Sequence, residues 1–140
     1  MPLLSRKGTL AIAAVIDIAI NVRGRPVSAK ILAARHKLPP RHLEPVLQSL
    51  VHEGILKGIR GPHGGYELAR ESRLITAEEI LRAAGQADDE NRISLPNSAL
   101  ISDVVRPALS GAERALSAAL ALITVDDMAR TAASLKLARD

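Results

Sequence analysis

Hydrophobic residues recur every three or four positions along most of the chain, which is the spacing of helices that bury one face. The first such block covers residues 10–20 and is ended by Gly24 and Pro26. A second, shorter helix is predicted after Ser28, because a serine hydroxyl is a good N-cap. The buried face of this second helix is expected to comprise Ile31, Leu32 and Ala34.

The third helix has the clearest apolar stripe, which consists of Leu43, Val46, Leu47, Leu50 and Val51. Pro40 suits a first helical position, but Pro45 would then lie inside the helix and remove a hydrogen bond. We therefore expect the helix to start nearer Arg41 or His42, or to have a kinked first turn. Gly54 is placed to end it.

A glycine-rich hairpin is predicted after the third helix, with strands over residues 55–60 and 66–69 and a tip over residues 61–65. Two helices joined by a tight turn and followed by such a hairpin form a winged helix-turn-helix. In that architecture one helix enters the DNA major groove, and the hairpin, or wing, lies beside it and can reach the minor groove. The sequence therefore predicts a mainly α-helical fold with a small β-hairpin wing.

The second half of the chain is also predicted to be helical. Two further helices are predicted from their caps, Thr76 and Thr124. Between them, residues 100–125 form a long helix whose apolar stripe is wider than one small domain covers. We divide the chain into a winged helix-turn-helix domain (residues 1–85), a flexible loop (residues 86–99), and a dimerisation helix with its tail (residues 100–140).

Composition narrows the classes of function. The 140 residues include no cysteine, which excludes disulfides, thiolate metal sites and thiol redox sensing. Residues 1–73 have 12 basic and 5 acidic side chains, whereas residues 74–140 have 7 and 10. A basic first half is typical of a nucleic-acid-binding face, although ordinary surface charge is the alternative explanation.

Membrane and enzyme functions find little support in the sequence. No apolar run reaches the roughly 18 residues of a membrane span. The apolar segment after Lys7 is interrupted by Asp17, unlike a signal peptide, and we expect a cytoplasmic protein. The four histidines lack metal-ligand spacing, and no acid–base pair or nucleophile stands out. We therefore expect no enzyme activity, metal or cofactor.

Four segments of the chain match the sequence pattern of a known family. They are Arg6-Lys7-Gly8, Pro26-Val27-Ser28, Leu43-Glu44-Pro45-Val46-Leu47 and the wing segment Ile59-Arg60-Gly61-Pro62-His63-Gly64-Gly65-Tyr66-Glu67-Leu68-Ala69-Arg70. With these segments, the first 85 residues resemble the Rrf2 family of bacterial transcription regulators. The resemblance implies a homodimer, formed by crossing C-terminal helices, that binds a palindromic operator in double-stranded DNA.

The resemblance also implies a cofactor, an iron–sulfur cluster, for which this chain lacks the usual cysteine ligands. Many Rrf2 proteins bind an iron–sulfur cluster through three cysteines in the loop before the long helix. A gap-free alignment places Asn91, Asn97, Asp103 and Arg106 at the ligand positions. Because protein-held clusters rely mainly on thiolates, we expect no cluster. Regulation is then expected through a small-molecule effector, a partner protein or abundance.

Candidate DNA contacts on the third helix follow from position and chemistry. Glu44 can accept a hydrogen bond from a cytosine amino group, a role that the resemblance also implies. Alternatively, Glu44 is a solvated acid favoured by the helix dipole. Arg41 can bond guanine in bidentate fashion, and His42 beside it can contact a phosphate or a base edge.

The wing and the helix starts supply the remaining candidates. Arg60 suits a narrowed minor groove, where negative potential is concentrated, and the alternative is a surface arginine at a strand end. His63 at the wing tip is placed for a backbone or minor-groove contact. Phosphate contacts are assigned by position to Lys7, Ser28 and Lys30.

Two functions of different classes fit these observations. The first is a dimeric, sequence-specific transcription regulator that acts as a repressor. The second is a winged-helix module that binds protein and not DNA. The basic first half of the chain and Arg60 argue against the second function.

Overall fold

The computed structural model describes residues 4–21, 24–86 and 98–135. Its elements, in chain order, are α1 (Arg6–Ala19), α2 (Ala29–Arg35), α3 (Pro40–His52), β1 (Leu56–Ile59), β2 (Gly65–Leu68), a 3₁₀ turn (Ser72–Leu74), α4 (Ala77–Gln86), a π-helical turn (Ile101–Val105), α5 (Arg106–Ala121) and α6 (Val125–Ser134). The predicted fold class, mainly helical with a β-hairpin wing, is confirmed.

Side-chain caps fix the starts of several helices, as predicted. The hydroxyl oxygen of Ser28 accepts from the backbone N–H three residues later at 3.1 Å. At α4, the hydroxyl of Thr76 accepts from the backbone N–H of Glu79 at 3.2 Å. At α6, Thr124 and Asp127 form a reciprocal capping box, with both hydrogen bonds present.

The start of α3 lies one residue before the earlier of the two expected positions. The helix begins at Pro40, and Pro45 lies inside it. The missing N–H of Pro45 leaves the Arg41 carbonyl without its helical donor, but that carbonyl is in the exposed first turn, where water can bind it. The other end is as predicted, because Gly54 follows the helix with φ +76°.

The core is aliphatic and lies between α1, α3, α4 and the base of the hairpin. Its largest fully buried side chains are Val15, Leu32, Leu43, Val46, Leu47, Leu50, Ile55, Leu56, Ile75, Ile80 and Val125. The predicted face of α2 is partly wrong, since Ile31 is 48% exposed and Ala34 is also exposed. A helix of seven residues buries little, and here it buries the adjacent pair Leu32 and Ala33.

The wing is attached to the segment before α2 as well as to its own partner strand. β1 and β2 pair antiparallel, with Gly58 opposite Tyr66. Val27 and Tyr66 exchange two backbone hydrogen bonds, at 2.8 and 3.0 Å. A Cβ at Gly65 would lie 2.5 Å from the Val27 carbonyl carbon, so only glycine allows this close approach.

The long C-terminal helix is anchored at one end. Ala77 donates to the Ile123 carbonyl and Val125 donates to the Ile75 carbonyl, both at 2.8 Å, which ties the α5–α6 junction to the start of α4. Pro107 lies in the first turn of α5, directly after the π-helical turn, where its missing N–H costs α5 no internal hydrogen bond. The predicted loop at residues 86–99 falls mostly outside the described residues.

Candidate nucleic-acid interface

The helix α3 has one buried and one exposed face. Its apolar stripe packs into the core, and this packing turns the opposite face outward. The outward side chains are Arg41, His42, Glu44 and Gln48. The predicted base-reading residues Arg41 and Glu44 therefore share an accessible surface, which a recognition helix requires.

Some basic side chains of the helix-turn-helix and the wing form salt bridges, and others do not. Arg35 bonds Asp17, and Lys57 lies 3.7 Å from Glu67. The unpaired set, judged against the described residues, consists of Lys30, Lys37, Arg41 and Arg60. Lys37 was not predicted as a contact; it forms the turn between α2 and α3 with φ +57°. Within the described ranges, these exposed cations have no salt bridge to break when they meet phosphates.

Glu44 is an exposed carboxylate among these cations. Within the described parts of the chain it forms no ion pair, whereas Glu67 and Glu79 pair with neighbouring basic side chains. An acid that neutralises no neighbour adds repulsion towards phosphates. Accepting a hydrogen bond from the edge of a base in the major groove would offset this repulsion for Glu44.

The predicted phosphate contacts occupy different places. Lys7 and His42 line one cleft of about 630 Å³ between α1 and the start of α3, together with Arg6. Ser28 is half-buried and uses its hydroxyl oxygen as the α2 cap, which leaves its hydroxyl hydrogen available for donation. Lys30 is exposed on α2, and His63 is exposed at the wing tip.

A second cleft, of about 400 Å³, separates α3 from the wing. Gln48 of α3 and Tyr66 of β2 face each other across it, with Gln48 Nε2 donating to the Tyr66 hydroxyl oxygen at 3.0 Å. Arg60 also lines this cleft. Sequence reasoning assigned no role to Gln48 or Tyr66, although Tyr66 is the only aromatic residue of the chain.

A buried charge cluster lies behind the helix-turn-helix. The Asp17 carboxylate, on α1, is only 5% exposed and accepts from the Arg35 guanidinium. Its other oxygen is 3.1 Å from His36 Nε2. Because Arg35 and His36 form the end of α2, the cluster fixes α2 to α1. The interruption of an apolar helix by Asp17 was the sequence signal for it.

The residues present do not fit an iron–sulfur cluster. The chain contains no cysteine to supply thiolates. Of the aligned positions, Asp103 and Arg106 are exposed on the helix, while Asn91 and Asn97 lie outside the described residues. The described residues also contain no group of three or more histidine and acidic side chains able to hold a metal ion. None of the helices in those ranges is long and apolar enough to cross a membrane.

The helices α2 and α3 form a helix-turn-helix, α3 has an exposed face, and the hairpin is attached beside them. Together, these elements define a winged helix-turn-helix protein. Residues 4–131 match the Rrf2 family model, which is described as an iron-dependent transcriptional regulator. The chain therefore belongs to the Rrf2 family of transcriptional regulators.

Individual relatives are similar to this chain to different extents. A Haemophilus influenzae protein named as an HTH-type transcriptional regulator is 37% identical over 59% of this chain, and Escherichia coli IscR is 30% identical over 64%. Each match covers 55% of the relative, so the chain spans about half the length of these curated relatives.

Solved structures match over a larger share of the chain. The structure of T. potens IscR aligns with a TM-score of 0.73 at 30% identity, covering 98% of this chain and 93% of that one. CymR, the global cysteine regulator of B. subtilis, aligns with a TM-score of 0.69 at 28% identity, covering 91% and 96%. These matched proteins are regulators rather than enzymes.

Proposed function

We propose that this protein is a cytoplasmic, homodimeric repressor that binds a palindromic operator in double-stranded DNA through residues 1–85. The observation that carries the proposal is the exposed set of Arg41 and Glu44 on α3 with Arg60 on the wing, none paired among the described residues. DNA contacts are assigned to Lys7, Ser28, Lys30, Arg41, His42, Glu44, Arg60 and His63.

Dimerisation is assigned to residues 100–140, and the exposure of the long helix supports it. Its large apolar side chains Leu100, Val104, Val105, Leu109 and Leu122 are between 41% and 81% exposed. An apolar stripe of this length on one helix is costly in water unless another surface covers it. Leu116 and Leu120 instead face α4 across a cleft of about 720 Å³ that Leu81 also lines.

The same cleft between the DNA-binding domain and the long helix is the place where we propose that a small-molecule effector acts. It is mixed in character, with Glu78 and Glu113 beside leucine side chains. Such a ligand would bias the angle between α4 and α5, and with it the spacing of the two recognition helices in a dimer. No step of regulation is assigned to an iron–sulfur cluster, because the chain has no thiolate ligands.

The DNA assignment is tested by in vitro selection of bound sequences from a random pool. Arg60→Ala is expected to weaken operator binding by about 1–3 kcal/mol. Glu44→Ala is expected to relax the base preference at one operator position and to raise non-specific affinity. An identical selected sequence for wild type and Glu44→Ala would show that Glu44 does not read a base. Absence of salt-dependent DNA binding would favour the protein-binding alternative.

The dimer is tested by sedimentation of Leu109→Asp, which places a carboxylate on the exposed apolar stripe. Ser110→Asp is the matched control, because at 3.6 residues per turn position 110 falls outside the sector of the helix that contains the five exposed apolar side chains. We expect wild type and Ser110→Asp at twice the chain mass and Leu109→Asp at the monomer mass. A monomeric wild type would refute the dimer.

The absence of a cluster is tested on protein purified without oxygen. Iron and sulfide analysis is expected to give no stoichiometric content, and DNA affinity is expected to be equal in air and under anaerobic reduction. A coloured, stoichiometric cluster would overturn this part of the proposal and would require ligands from outside the chain.

A further inference from the structure

The cleft between α3 and the wing has a defined place on DNA, given the proposed binding mode. If α3 lies in the major groove and the wing in the adjacent minor groove, the two elements straddle the sugar–phosphate strand that separates these grooves. The surface between them must then lie over that strand. Its lining residues include Gln48, Gly58, Arg60 and Tyr66.

The hydroxyl of Tyr66 is available to donate a hydrogen bond to an acceptor. Gln48 Nε2 donates to the hydroxyl oxygen at 3.0 Å, so this hydrogen bond uses a lone pair of Tyr66 and leaves the phenolic hydrogen for another acceptor. Within the described residues, no acceptor takes that hydrogen. A phosphate oxygen is an acceptor without hydrogens, and a hydrogen bond to a charged acceptor is among the stronger ones.

The backbone of Tyr66 is held from both sides. Tyr66 exchanges two hydrogen bonds with Val27 and faces Gly58 on the neighbouring strand. A Cβ at Gly58 would meet no atom within 4 Å, so the floor of the cleft at Gly58 is open. Arg60 lines the same cleft and supplies positive charge to it.

We propose that Tyr66 donates a hydrogen bond to a DNA backbone phosphate seated between α3 and the wing, with Gln48 as the positioning residue that orients its hydroxyl. This inference rests on the proposed DNA binding and adds a contact residue to it. The competing explanation is a brace, in which the Gln48–Tyr66 hydrogen bond only joins α3 to the wing.

Affinity for a random-sequence duplex separates a phosphate donor from a brace. Tyr66→Phe removes the hydroxyl, and Gln48→Met removes only the donor to it. For a phosphate donor, Tyr66→Phe weakens binding roughly tenfold, and Gln48→Met weakens it less. The slope of log affinity against log salt stays unchanged in Tyr66→Phe, because a neutral donor releases no counterion. Arg60→Ala, in contrast, lowers that slope.

The outcome for a brace is different in kind. Tyr66→Phe and Gln48→Met then delete the same bond, so the two variants weaken binding equally and the double variant is no worse than either. That result would overturn the inference, as would an unchanged affinity in Tyr66→Phe. Failure of the wild type to bind any duplex would instead contradict the proposed function, and this inference with it.

A second measurement compares modified with unmodified DNA for one protein at a time, so a smaller folded fraction of the variant cancels. Single methylphosphonates, which replace a charged phosphate with a neutral one, are introduced along the selected operator and tested with wild-type protein. One position between the two contacted grooves is expected to lose affinity in wild type but to lose much less in Tyr66→Phe. Equal losses for both proteins at every position would refute the direct contact.

Discussion

Replacing Gly65 with alanine should detach the wing from the segment before α2. Gly65 has φ +154°, a region that is strained for other residues by about 1–3 kcal/mol. Its new Cβ would lie 2.5 Å from the Val27 carbonyl carbon and 2.7 Å from Ser28 N, and backbone atoms cannot rotate away. The Val27–Tyr66 bridge would open and lose two hydrogen bonds, each contributing about 0.5–1.5 kcal/mol.

The expected loss for Gly65→Ala is therefore about 2–6 kcal/mol in the free energy of unfolding. It is measured by urea denaturation, followed by circular dichroism, at one fixed protein concentration. Gly58→Ala is the matched control on the facing strand, where a Cβ meets nothing within 4 Å, and it should change stability by less than about 0.5 kcal/mol. Equal stability of the two variants would refute the steric argument.

Two further predictions concern charged side chains. Asp17→Ala should lower the free energy of unfolding by about 1–3 kcal/mol, because Arg35 and His36 lose their shared partner while still part-exposed. Asp17→Asn should lose less stability than Asp17→Ala. A loss below about 0.5 kcal/mol for Asp17→Ala in urea denaturation would contradict this reasoning. Burial raises the pKa of Glu79, but hydrogen bonds and the charge of Arg70 outweigh it and lower the pKa below its ordinary 4.5. Its carboxylate therefore stabilises the fold above pH 4.5 and loses that effect as the pH falls further, so acid should destabilise wild type more steeply than Glu79→Gln. Parallel stability curves below that pH would refute the assignment.

The features that the sequence predicted are those encoded by local chemistry. Caps at Ser28 and Thr124 need only a hydroxyl and the next turn of backbone, and both were found where expected. The wing was also predictable, since a run of glycines between two short apolar segments has few alternatives. The fold class followed from the order of these elements.

The features that could not be predicted from the sequence depend on contacts between residues that are distant along the chain. The exposure of Ile31 could not be derived from a seven-residue helix, because so short a stripe does not fix which side faces the core. The start of α3 was expected one or two residues too late because the penalty for Pro45 was judged without knowing that its turn is exposed. The Gln48–Tyr66 contact joins two residues that are eighteen positions apart, and the periodic pattern of apolar residues does not reveal such a contact.

The three elements proposed to meet DNA are connected before DNA arrives. Val27, at the entrance to α2, holds Tyr66 of the wing by two backbone hydrogen bonds, and Tyr66 holds Gln48 of α3 through its hydroxyl. The separation of Glu44 from Arg60 is therefore set by the folded protein and not by the operator. Preorganisation of this kind lowers the entropy lost on binding. It also means that a change at Gly65 should weaken base reading and minor-groove insertion together, whereas a change at Arg60 should affect only the wing.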